Sequence, residues 1–392
     1  MCWRILVLLF LARIALGFQF QALASVSDEL VAVLGVDYAS VGLLVGLFMA
    51  PGLVLALPAG YLGRMVADRE MVVMGLVALA LGGLVSSMAS SSVGVGLGRV
   101  IAGVGFLFTT LYFTKMVTDW FEGRAIATAM SILVMSWPFG IAMGQVGHAW
   151  LAMTFDWRAP FLVASAYCLI AAIAVFFLYR TPEPRGQSAP ANTMRLNRQE
   201  WYLVFCAAAA WGVFNAAYVT YLTFGPKVLE ASGVPGLTAA GVISIGSWLM
   251  IASGVICGLI VDRFGRRDMI LSVCMVGAVV ALWMLSLPGA GVAASLIFGL
   301  VGMAPAGVIM ALAGMALRPQ VHAFGMGIFF TVYYAFMLAT PPVAGAILDA
   351  TGRPQGSILL AMVLFASVVP CALAFTFIKS RPSRAGRTGQ VA

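Results

Sequence analysis

The segment at residues 258–267 reads Gly-Leu-Ile-Val-Asp-Arg-Phe-Gly-Arg-Arg and lies between two long apolar runs. A weaker copy, Gly-Tyr-Leu-Gly-Arg-Met-Val-Ala-Asp-Arg, occupies residues 60–69, which is 198 positions upstream and about half the chain length. Two halves that carry the same charged turn between the same hydrophobic segments indicate an internal duplication. Duplicated helical bundles of this kind are the usual build of membrane carriers, whose binding sites lie between the halves.

The composition is that of an integral membrane protein. Hydrophobic residues make up 62% of the 392 positions and charged residues only 9%, against roughly 45–50% and 25% in soluble domains. The net charge of +8 does not indicate a nucleic-acid partner, because the basic residues fall in short turns rather than in one patch. The lipid bilayer is the expected partner.

The sequence shows no signature of catalysis. The six cysteines are scattered singly without a Cys-x-x-Cys pair, so they are interpreted as small core residues rather than metal ligands or disulfide partners. No P-loop, metal-ligand cluster or nucleophile with a matching base stands out. We therefore expect no enzyme activity and no cofactor.

Twelve apolar runs are long enough to span a bilayer, which takes about 20 residues. They lie at 4–26, 40–60, 70–90, 94–115, 124–147, 160–180, 201–225, 238–260, 268–288, 291–316, 323–348 and 356–379. This pattern predicts an all-α membrane protein of two pseudo-symmetric six-helix bundles. Its predicted parts are an N-terminal bundle at 1–180, a cytoplasmic linker at 181–200, a C-terminal bundle at 201–379 and a cytoplasmic tail at 380–392.

The distribution of basic residues predicts the orientation. With the N-terminus inside, 17 of the 22 Lys and Arg residues fall on the cytoplasmic side, whereas the outer loops hold only Arg158, Lys227 and Arg353. The positive-inside rule then places both termini in the cytoplasm. The first 25 residues could be a signal peptide, but Arg13 interrupts their apolar stretch and no cleavage site precedes Asp28. We expect a retained first helix in a bacterial-type inner membrane.

A second repeat at the same offset aligns residues 124–130 with 322–328, each at the start of the fifth helix of its half. With these features the chain resembles the major facilitator superfamily over essentially its whole length. The turn at 258–267 matches that family's Gly-x-Leu-x-Asp-Arg-x-Gly-Arg-Arg pattern, with Ile260 at the Leu position.

Further segments agree with this resemblance. Residues 99–105 are similar to the family's fourth-helix Arg-x-x-x-Gly motif, and residues 157–161 are similar to its Trp-Arg-x-x-Phe opening of helix six. The segments at 119–124, 136–140 and 211–215 are more loosely similar to the cyanate and nitroimidazole-type branch.

The resemblance implies gating roles for the charged turns. Asp262 and Arg266 would clamp neighbouring helix ends in one conformational state. In the first copy Arg64 stands at the acidic position and Asp68 comes four residues later, which weakens the prediction of an equivalent latch there. The predicted gating and structural residues are Gly258, Asp262, Arg263, Arg266, Asp68 and Arg99.

Arg13 is the sharpest candidate for a binding residue. It lies near the middle of the first helix, where a cation costs about 2.5–3.5 kcal/mol on insertion scales and should face protein or water. All fourteen acidic residues fall in predicted loops or within about a turn of a helix end, so no partner is obvious. An anionic substrate could be the missing partner, since it can accept two parallel hydrogen bonds from the guanidinium. The alternative is that Arg13 bonds to backbone carbonyls or reaches toward the interface.

Further candidates come from four other helices. Trp211, Asn215 and Tyr218 follow one face of the seventh helix. The family resemblance implies that the first and seventh helices occupy equivalent positions across a cavity, so Asn215 would face Arg13. Such a polar stripe can equally hold helices together. Arg99 could belong to an anion path or have a structural role. The predicted substrate-binding residues are Arg13, Asn215, Tyr218, Trp211, Tyr333 and Gln145.

These observations predict alternating-access transport of a small organic or inorganic anion by a carrier that works as a monomer. Because no carboxylate is expected in the membrane centre, coupling could pass through a protonated substrate, exchange or facilitated diffusion. Efflux of a hydrophobic compound is the alternative within the transporter class, since Met and Phe are abundant. A membrane sensor that has kept the fold without transporting is a further alternative.

Overall fold

The structure is a computed structural model that describes residues 2–62, 66–121, 125–181 and 195–381. Twelve helical spans in these ranges are long and apolar enough to cross a membrane, which confirms the predicted number. All regular elements of the described residues are helical. The first-half helices are α1 (Cys2–Ala24), α2 (Ser27–Leu34), α3 (Tyr38–Leu47), α4 (Ala50–Leu62), α5 (Asp68–Met88), α6 (Ser92–Phe121), α7 (Ile126–Thr154) and α8 (Ala159–Leu178).

The second half repeats this arrangement of six spans. Its helices are α9 (Arg198–Ala231), α10 (Gly236–Phe264), α11 (Arg267–Leu285), α12 (Gly291–Ile297), α13 (Ala306–Met315), α14 (His322–Thr351) and α15 (Gln355–Ser380). The second span is divided into α3 and α4, and the tenth into α12 and α13. The short helix α2 connects the first two spans.

Several predicted features fall outside the described ranges. They include residues 182–194 of the predicted linker, residues 382–392 of the tail, and Arg64, Glu122 and Arg124. The last part of the predicted linker is helical, because α9 already begins at Arg198. Asn197 and Glu200 form a capping box that supplies hydrogen-bond partners at this helix end. A polar cap of this kind starts the helix ahead of its apolar core.

Each half packs around one central helix, which is α1 in the first half and α9 in the second. In the first half α1 lies against α7 and α8, while α5 packs on α6 and α8. In the second half α9 occupies the equivalent position and packs on α14 and α15. Small residues allow α1 and α7 to approach closely, since a methyl group at Gly17 would overlap the Trp137 carbonyl oxygen.

The two halves meet along two pairs of helices. One interface joins α3 and α4 to α14, and the other joins α7 to α10. A methyl group at Gly42 would overlap the Pro341 carbonyl oxygen, and one at Gly345 would overlap the Tyr38 carbonyl oxygen. At α7 and α10 the rings of Phe139 and Trp248 meet edge to face with centroids 4.9 Å apart. The first interface is therefore backbone against backbone and the second is aromatic.

The tenth span is interrupted in the middle. A π-helical segment at Phe298–Gly302 follows α12, and Pro305 then caps α13. Ser253 of α10 donates to the Gly299 carbonyl at 2.6 Å, which satisfies a group that the irregular backbone leaves free. Pro138 and Pro341, in contrast, lie inside continuous helices.

Candidate functional site

Arg13 lies at the middle of α1 and contacts α7 of the same half. Its Nη1 donates to the Leu133 carbonyl at 2.8 Å, to the Ser136 hydroxyl at 3.0 Å and to the Val134 carbonyl at 3.5 Å. The Val134 carbonyl lacks its usual partner four residues later, because Pro138 has no N–H. The proline in α7 thus frees one of the three acceptors of Arg13, while the shortest of the three bonds goes to the Leu133 carbonyl.

These three hydrogen bonds all come from one nitrogen of the guanidinium, Nη1. Arg13 is 8% exposed, and its buried Nε has no hydrogen-bond partner among the described residues. Nor does any described carboxylate form an ion pair with it. Each acidic residue that the structure describes lies outside the helices or within about a turn of a helix end, as predicted. The backbone-carbonyl alternative therefore accounts for one nitrogen of Arg13 and leaves another without a partner.

Arg99 of α6 has a different environment from Arg13. It is 1% exposed, and its three nitrogens donate to the carbonyls of Leu44, Gln19 and Phe20 at 3.2, 3.4 and 3.3 Å. The guanidinium also lies over the ring of Phe48 at 4.5 Å. These contacts tie α6 to α1 and α3, which favours the structural role for Arg99 over a place in an anion path.

The predicted stripe on α9 divides into two parts. Trp211 and Asn215 are half-buried, and the Asn215 side chain donates to the Trp211 carbonyl at 2.8 Å. Tyr218 is buried, and its hydroxyl shares a hydrogen bond of 2.6 Å with Ser247 of α10. Tyr218 thus joins two helices of one half, whereas the side chains of Trp211 and Asn215 remain partly exposed.

Tyr333 of α14 lies beside the open part of this stripe. Its ring centroid is 6.4 Å from that of Trp211 and 5.0 Å from that of Tyr334. The Tyr334 ring in turn fills the space at Gly52 of α4, across the boundary between the halves. The structure brings Trp211, Asn215 and Tyr333 together on the second half, while Arg13 is bonded within the first.

Gln145 of α7 lies at a different depth in the membrane-spanning bundle from Arg13. Its Oε1 accepts from the Gln21 amide at 2.5 Å, and its Nε2 donates to the Leu222 carbonyl of α9 at 3.4 Å. Pro226 leaves this carbonyl without its usual donor. Gln21 follows Arg13 by eight residues on α1, which is about 12 Å at 1.5 Å per residue. Gln145 therefore does not share a site with Arg13, and it links the two halves.

A cluster of charged residues closes the bundle beyond this level. We call Asp28, Tyr38, Lys227 and Asp349 the gate cluster. Lys227 of α9 pairs with Asp28 and lies 4.6 Å from the centroid of the Tyr38 ring. The Tyr38 hydroxyl donates to Asp28 at 2.6 Å. Lys227 of the second half is therefore held by two groups of the first.

Asp349 adds a second link between the halves. Its two carboxylate oxygens accept from the backbone N–H groups of Tyr38 and Ala39 at 3.0 and 2.8 Å. These groups belong to the first turn of α3, where a negative charge is favourable. A residue at the end of α14 thus caps a helix of the opposite half.

The ionisation of the gate cluster follows from its contacts. Burial alone would raise the pKa of Asp28, but the Lys227 charge and the hydrogen bonds from Lys227 and Tyr38 hold it below its usual value. Glu29, next in the sequence, lacks such partners, and burial raises the pKa of its carboxyl. Asp28 is therefore stabilised as the anion, and Glu29 is not.

The opposite end of the bundle, which carries Asp262, contains the predicted gating turn. Asp262 and Arg266 are exposed, and no described residue forms an ion pair with either of them. Gly265 adopts φ +66° and ends α10 in the left-handed conformation that glycine favours. Asp68 pairs with Lys115 of its own half at 2.6 Å. The structure places the turn as predicted, while the proposed clamp is not engaged in this state.

Sequence reasoning missed Gln21 and the gate cluster as a set. The apolar run ends near Pro226 and therefore predicts an outer loop for Lys227, yet α9 continues to Ala231. Gln21 carried a usable signal, since it is a second polar side chain on α1 beyond Arg13. Asp349 carried none, because its partners are backbone groups 310 residues away in sequence.

Comparisons with known proteins agree with the fold. The family model of the Major Facilitator Superfamily matches residues 9–334. The chain is 23% identical to the hexuronate transporter of Bacillus subtilis, covering 69% of this chain and 70% of that protein. It is 22% identical to the probable L-galactonate transporter of Escherichia coli, covering 67% of this chain and 62% of that one.

Solved structures show the same architecture over nearly the whole length. A bacterial homologue of the human lysosomal transporter Spinster, in an inward-facing and occupied conformation, superposes with a TM-score of 0.74 at 16% identity. The alignment covers 97% of this chain and 98% of that one. The nucleoside transporter NupG gives 0.72 at 14% identity, covering 94% and 99%. The chain belongs to the Major Facilitator Superfamily and is a membrane transporter, not an enzyme.

Proposed function

We propose that the protein carries a small organic anion across the membrane by alternating access, with Arg13 as the group that recognises the anionic end. The observation that carries this proposal is the unpartnered Nε of Arg13 at the middle of α1. A guanidinium that keeps a free N–H inside a membrane protein suits a carboxylate, which accepts planar, bidentate hydrogen bonds.

The relatives support an organic acid over an inorganic anion. Both named substrates, hexuronate and L-galactonate, are sugar acids that carry one carboxylate and several hydroxyl groups. Trp211, Asn215 and Tyr333 would meet the remainder of such a molecule from the second half. Asn215 contributes an amide and Tyr333 a hydroxyl, and both suit hydroxyl groups. Trp211 supplies an apolar ring face.

Alternating access is consistent with the closed gate cluster. Under the proposed orientation, with both termini in the cytoplasm of a bacterial cell, the Asp28 end faces outward. The structure then corresponds to a state that is closed to the outside, in which the carrier exchanges its substrate with the cytoplasm. The proposed unit is a single chain, because the polar residues of the path come from its own two halves.

Uptake into proteoliposomes tests this function. The substrates are glucuronate, a dicarboxylate such as succinate, and phosphate, each compared in the wild type, Arg13→Lys and Arg13→Gln. We expect glucuronate uptake to fall about 10-fold in Arg13→Lys, since one ammonium cannot reproduce the planar fork, and further in Arg13→Gln.

Tyr167→Phe is the matched control, because the Tyr167 hydroxyl also contacts α1, at the Leu11 carbonyl, but is not part of the proposed site. Its uptake should stay near that of the wild type. Unchanged glucuronate uptake in a well-folded Arg13→Gln protein would show that Arg13 does not recognise the anion.

A further inference from the structure

Basic side chains gather at the Asp262 end of the second half, where α11 begins and α15 ends. These two helices pack on each other. The basic residues of the turn before α11 and of the end of α15 are Arg263, Arg266, Arg267, Lys379 and Arg381. The described acidic residues of the same segments are Asp262 and Asp268. An excess of three positive charges therefore remains on this part of the surface.

Two of these cations lie against the same aromatic ring. The guanidinium carbon of Arg267 and the ammonium nitrogen of Lys379 each lie 5.9 Å from the centroid of Phe375. Arg267 also donates to the Thr376 hydroxyl at 2.6 Å, which fixes its side chain against α15. Two positive charges from two helices are therefore held close together. We call Arg267 and Lys379 the cation pair.

Protein groups neutralise this cation pair only in part. Asp268 accepts from the Nε of Arg267 at 2.9 Å. The Nη1 of Arg267 contacts the sulfur of Met315 at 3.7 Å, and a thioether is a weak acceptor. Lys379 forms no ion pair with a described residue. N–H groups of both cations thus remain available to an anion, and phosphate oxygens can accept from both.

The surface next to the cation pair is apolar and exposed. Met269 lies two residues farther into α11 than Arg267, and Phe377 lies two residues farther into α15 than Lys379. Both side chains are exposed, and the guanidinium of Arg381 lies 4.3 Å from the centroid of the Phe377 ring. A ligand with an anionic headgroup and hydrocarbon chains suits both parts of this surface, whereas a soluble anion would leave the apolar part unused.

The first half has an equivalent arginine but a different set of charges around it. Arg69 precedes Arg267 by 198 positions, the offset of the repeated turn. It lies 5.1 Å from the ring centroid of Phe176 in α8, and it is the one described cation over that ring. Beside it, Asp68 pairs with Lys115. The repeat therefore provides an internal comparison, with two cations on one ring in the second half and one in the first.

We propose that the cation pair binds the phosphate group of an anionic phospholipid, whose acyl chains lie along the exposed apolar side chains of α11 and α15. Under the proposed orientation this end meets the cytoplasmic leaflet, where basic side chains near helix ends attract anionic lipids. Because α11 and α15 belong to one half, the lipid anchors that half and moves with it. The inference does not rest on the proposed function, since lipid binding is measured without transport.

Native mass spectrometry of the purified full chain tests this site. The protein is equilibrated in detergent with equal amounts of phosphatidylglycerol and phosphatidylcholine that have the same acyl chains, and the retained lipid is identified by its mass. The variants are Arg267→Gln, Lys379→Gln and the two combined. Arg267→Lys keeps the charge without the planar group that bonds to Thr376, so it separates attraction of the headgroup from packing against α15. Arg69→Gln is the matched control.

We expect the wild type, Arg267→Lys and Arg69→Gln to retain phosphatidylglycerol about 20-fold in preference to phosphatidylcholine. Each single glutamine variant should lower this preference about fivefold, and the combined variant should retain the two lipids almost equally. A preference that survives in the combined variant, or that falls as far in Arg69→Gln, would overturn the site. Displacement of phosphatidylglycerol by millimolar inorganic phosphate would also overturn it, because the site would then take the free ion.

Discussion

The two ends of the bundle use their charges in opposite ways. At the Asp28 end, Lys227 and Asp349 each bond to the other half of the molecule. At the Asp262 end, the ion pairs between described residues stay within one half, as in Lys115 with Asp68 and Arg318 with Glu200. The first end therefore depends on how the halves are arranged, and the second end does not in this state.

This difference shows how one fold can close at one end while the other stays free. The bonds at the Asp28 end break when the halves separate there, so they stabilise the closed state alone. The pairs at the Asp262 end survive such a movement, since both partners move together. Only bonds that differ between two states can shift the equilibrium between them. Removing bonds at either end of the bundle tests whether this difference controls opening.

The largest effect is expected for Lys227→Met, which removes both the ion pair with Asp28 and the contact with the Tyr38 ring. A cysteine at Ala240, which is buried and lines the same cavity as Asp28 and Lys227, reports opening through its reaction with a maleimide. In a background without the native cysteines, labelling should rise about 10-fold. The control is Lys115→Met, because Lys115 pairs within its own half. Equal labelling of the two variants would mean that the gate cluster does not hold the halves together.

A smaller effect is expected for Asp349→Ala, which removes the cap from α3. Loss of a helix cap costs about 1 kcal/mol, so labelling at the Ala240 position should rise about fivefold. Asp37→Ala is the matched control, because Asp37 caps the same helix from within, through the Ser40 N–H at 2.8 Å. It should weaken α3 without raising labelling. If Asp37→Ala opened the bundle as much as Asp349→Ala, helix stability rather than the link between halves would be the cause.

Asp262→Asn tests the role of the charges at the Asp262 end of the bundle. Asp262 is exposed and forms no ion pair with a described residue in this state, so the variant leaves the present contacts intact. If Asp262 clamps helix ends when the Asp262 end closes, its loss favours the state seen here. Labelling at the Ala240 position should then fall about threefold. Lys379→Gln offers a control, since Lys379 is exposed near the end of α15 and lies outside the gating turn. A rise in labelling would contradict a clamp at this end.

The smallest effect is expected from pH. The pKa of Asp28 is lowered in the closed state, so Asp28 stabilises closure at neutral pH and loses this contribution as pH falls through the lowered value. The raised pKa of Glu29 acts in the opposite sense, since its protonation relieves the cost of burying a charged carboxyl and also removes repulsion from Asp28. Partial opening is therefore expected only below about pH 4, the ordinary range of Asp.

An EPR distance between spin labels on α2 and α10 can follow this opening, since thiol labelling itself depends on pH. Asp28→Asn should already be partly open at pH 7 and respond little to acid. A wild-type distance that stays constant down to pH 3.5, or an equal acid response in Asp28→Asn, would remove Asp28 as the titrating group.

The sequence was sufficient to predict the fold because the bilayer imposes a length on each helix. About 20 apolar residues are needed for each span, so the twelve runs could be counted without knowledge of their packing. The repeated turn then gave the two halves. The ends of the helices could not be predicted in this way. Helix α9 starts from a polar cap at Asn197 and continues past Pro226, and a search for apolar runs detects neither the cap nor the continuation.

The candidate site was only partly predictable for a related reason. Arg13 could be found because a charge in the middle of an apolar helix is unusual. Its contacts could not, because they go to two carbonyls and a hydroxyl of another helix, and only one of these acceptors is freed by Pro138. The same holds for Gln145, whose acceptor is freed by Pro226. Hydrogen bonds between distant helices leave no periodic pattern, so the partners of Gln21 and Asp349 emerge only from the folded arrangement.

The central claim is that Arg13 recognises a carboxylate, and binding of glucuronate and glucuronamide tests it most directly. The two molecules share their ring and hydroxyl groups and differ in the charge of one end. In a titration with purified protein, the wild type should bind glucuronate at least about 10-fold more tightly, and Arg13→Gln should bind both with similar affinity. Equal binding of the two by the wild type, or a preference for glucuronate that survives in Arg13→Gln, would contradict the account.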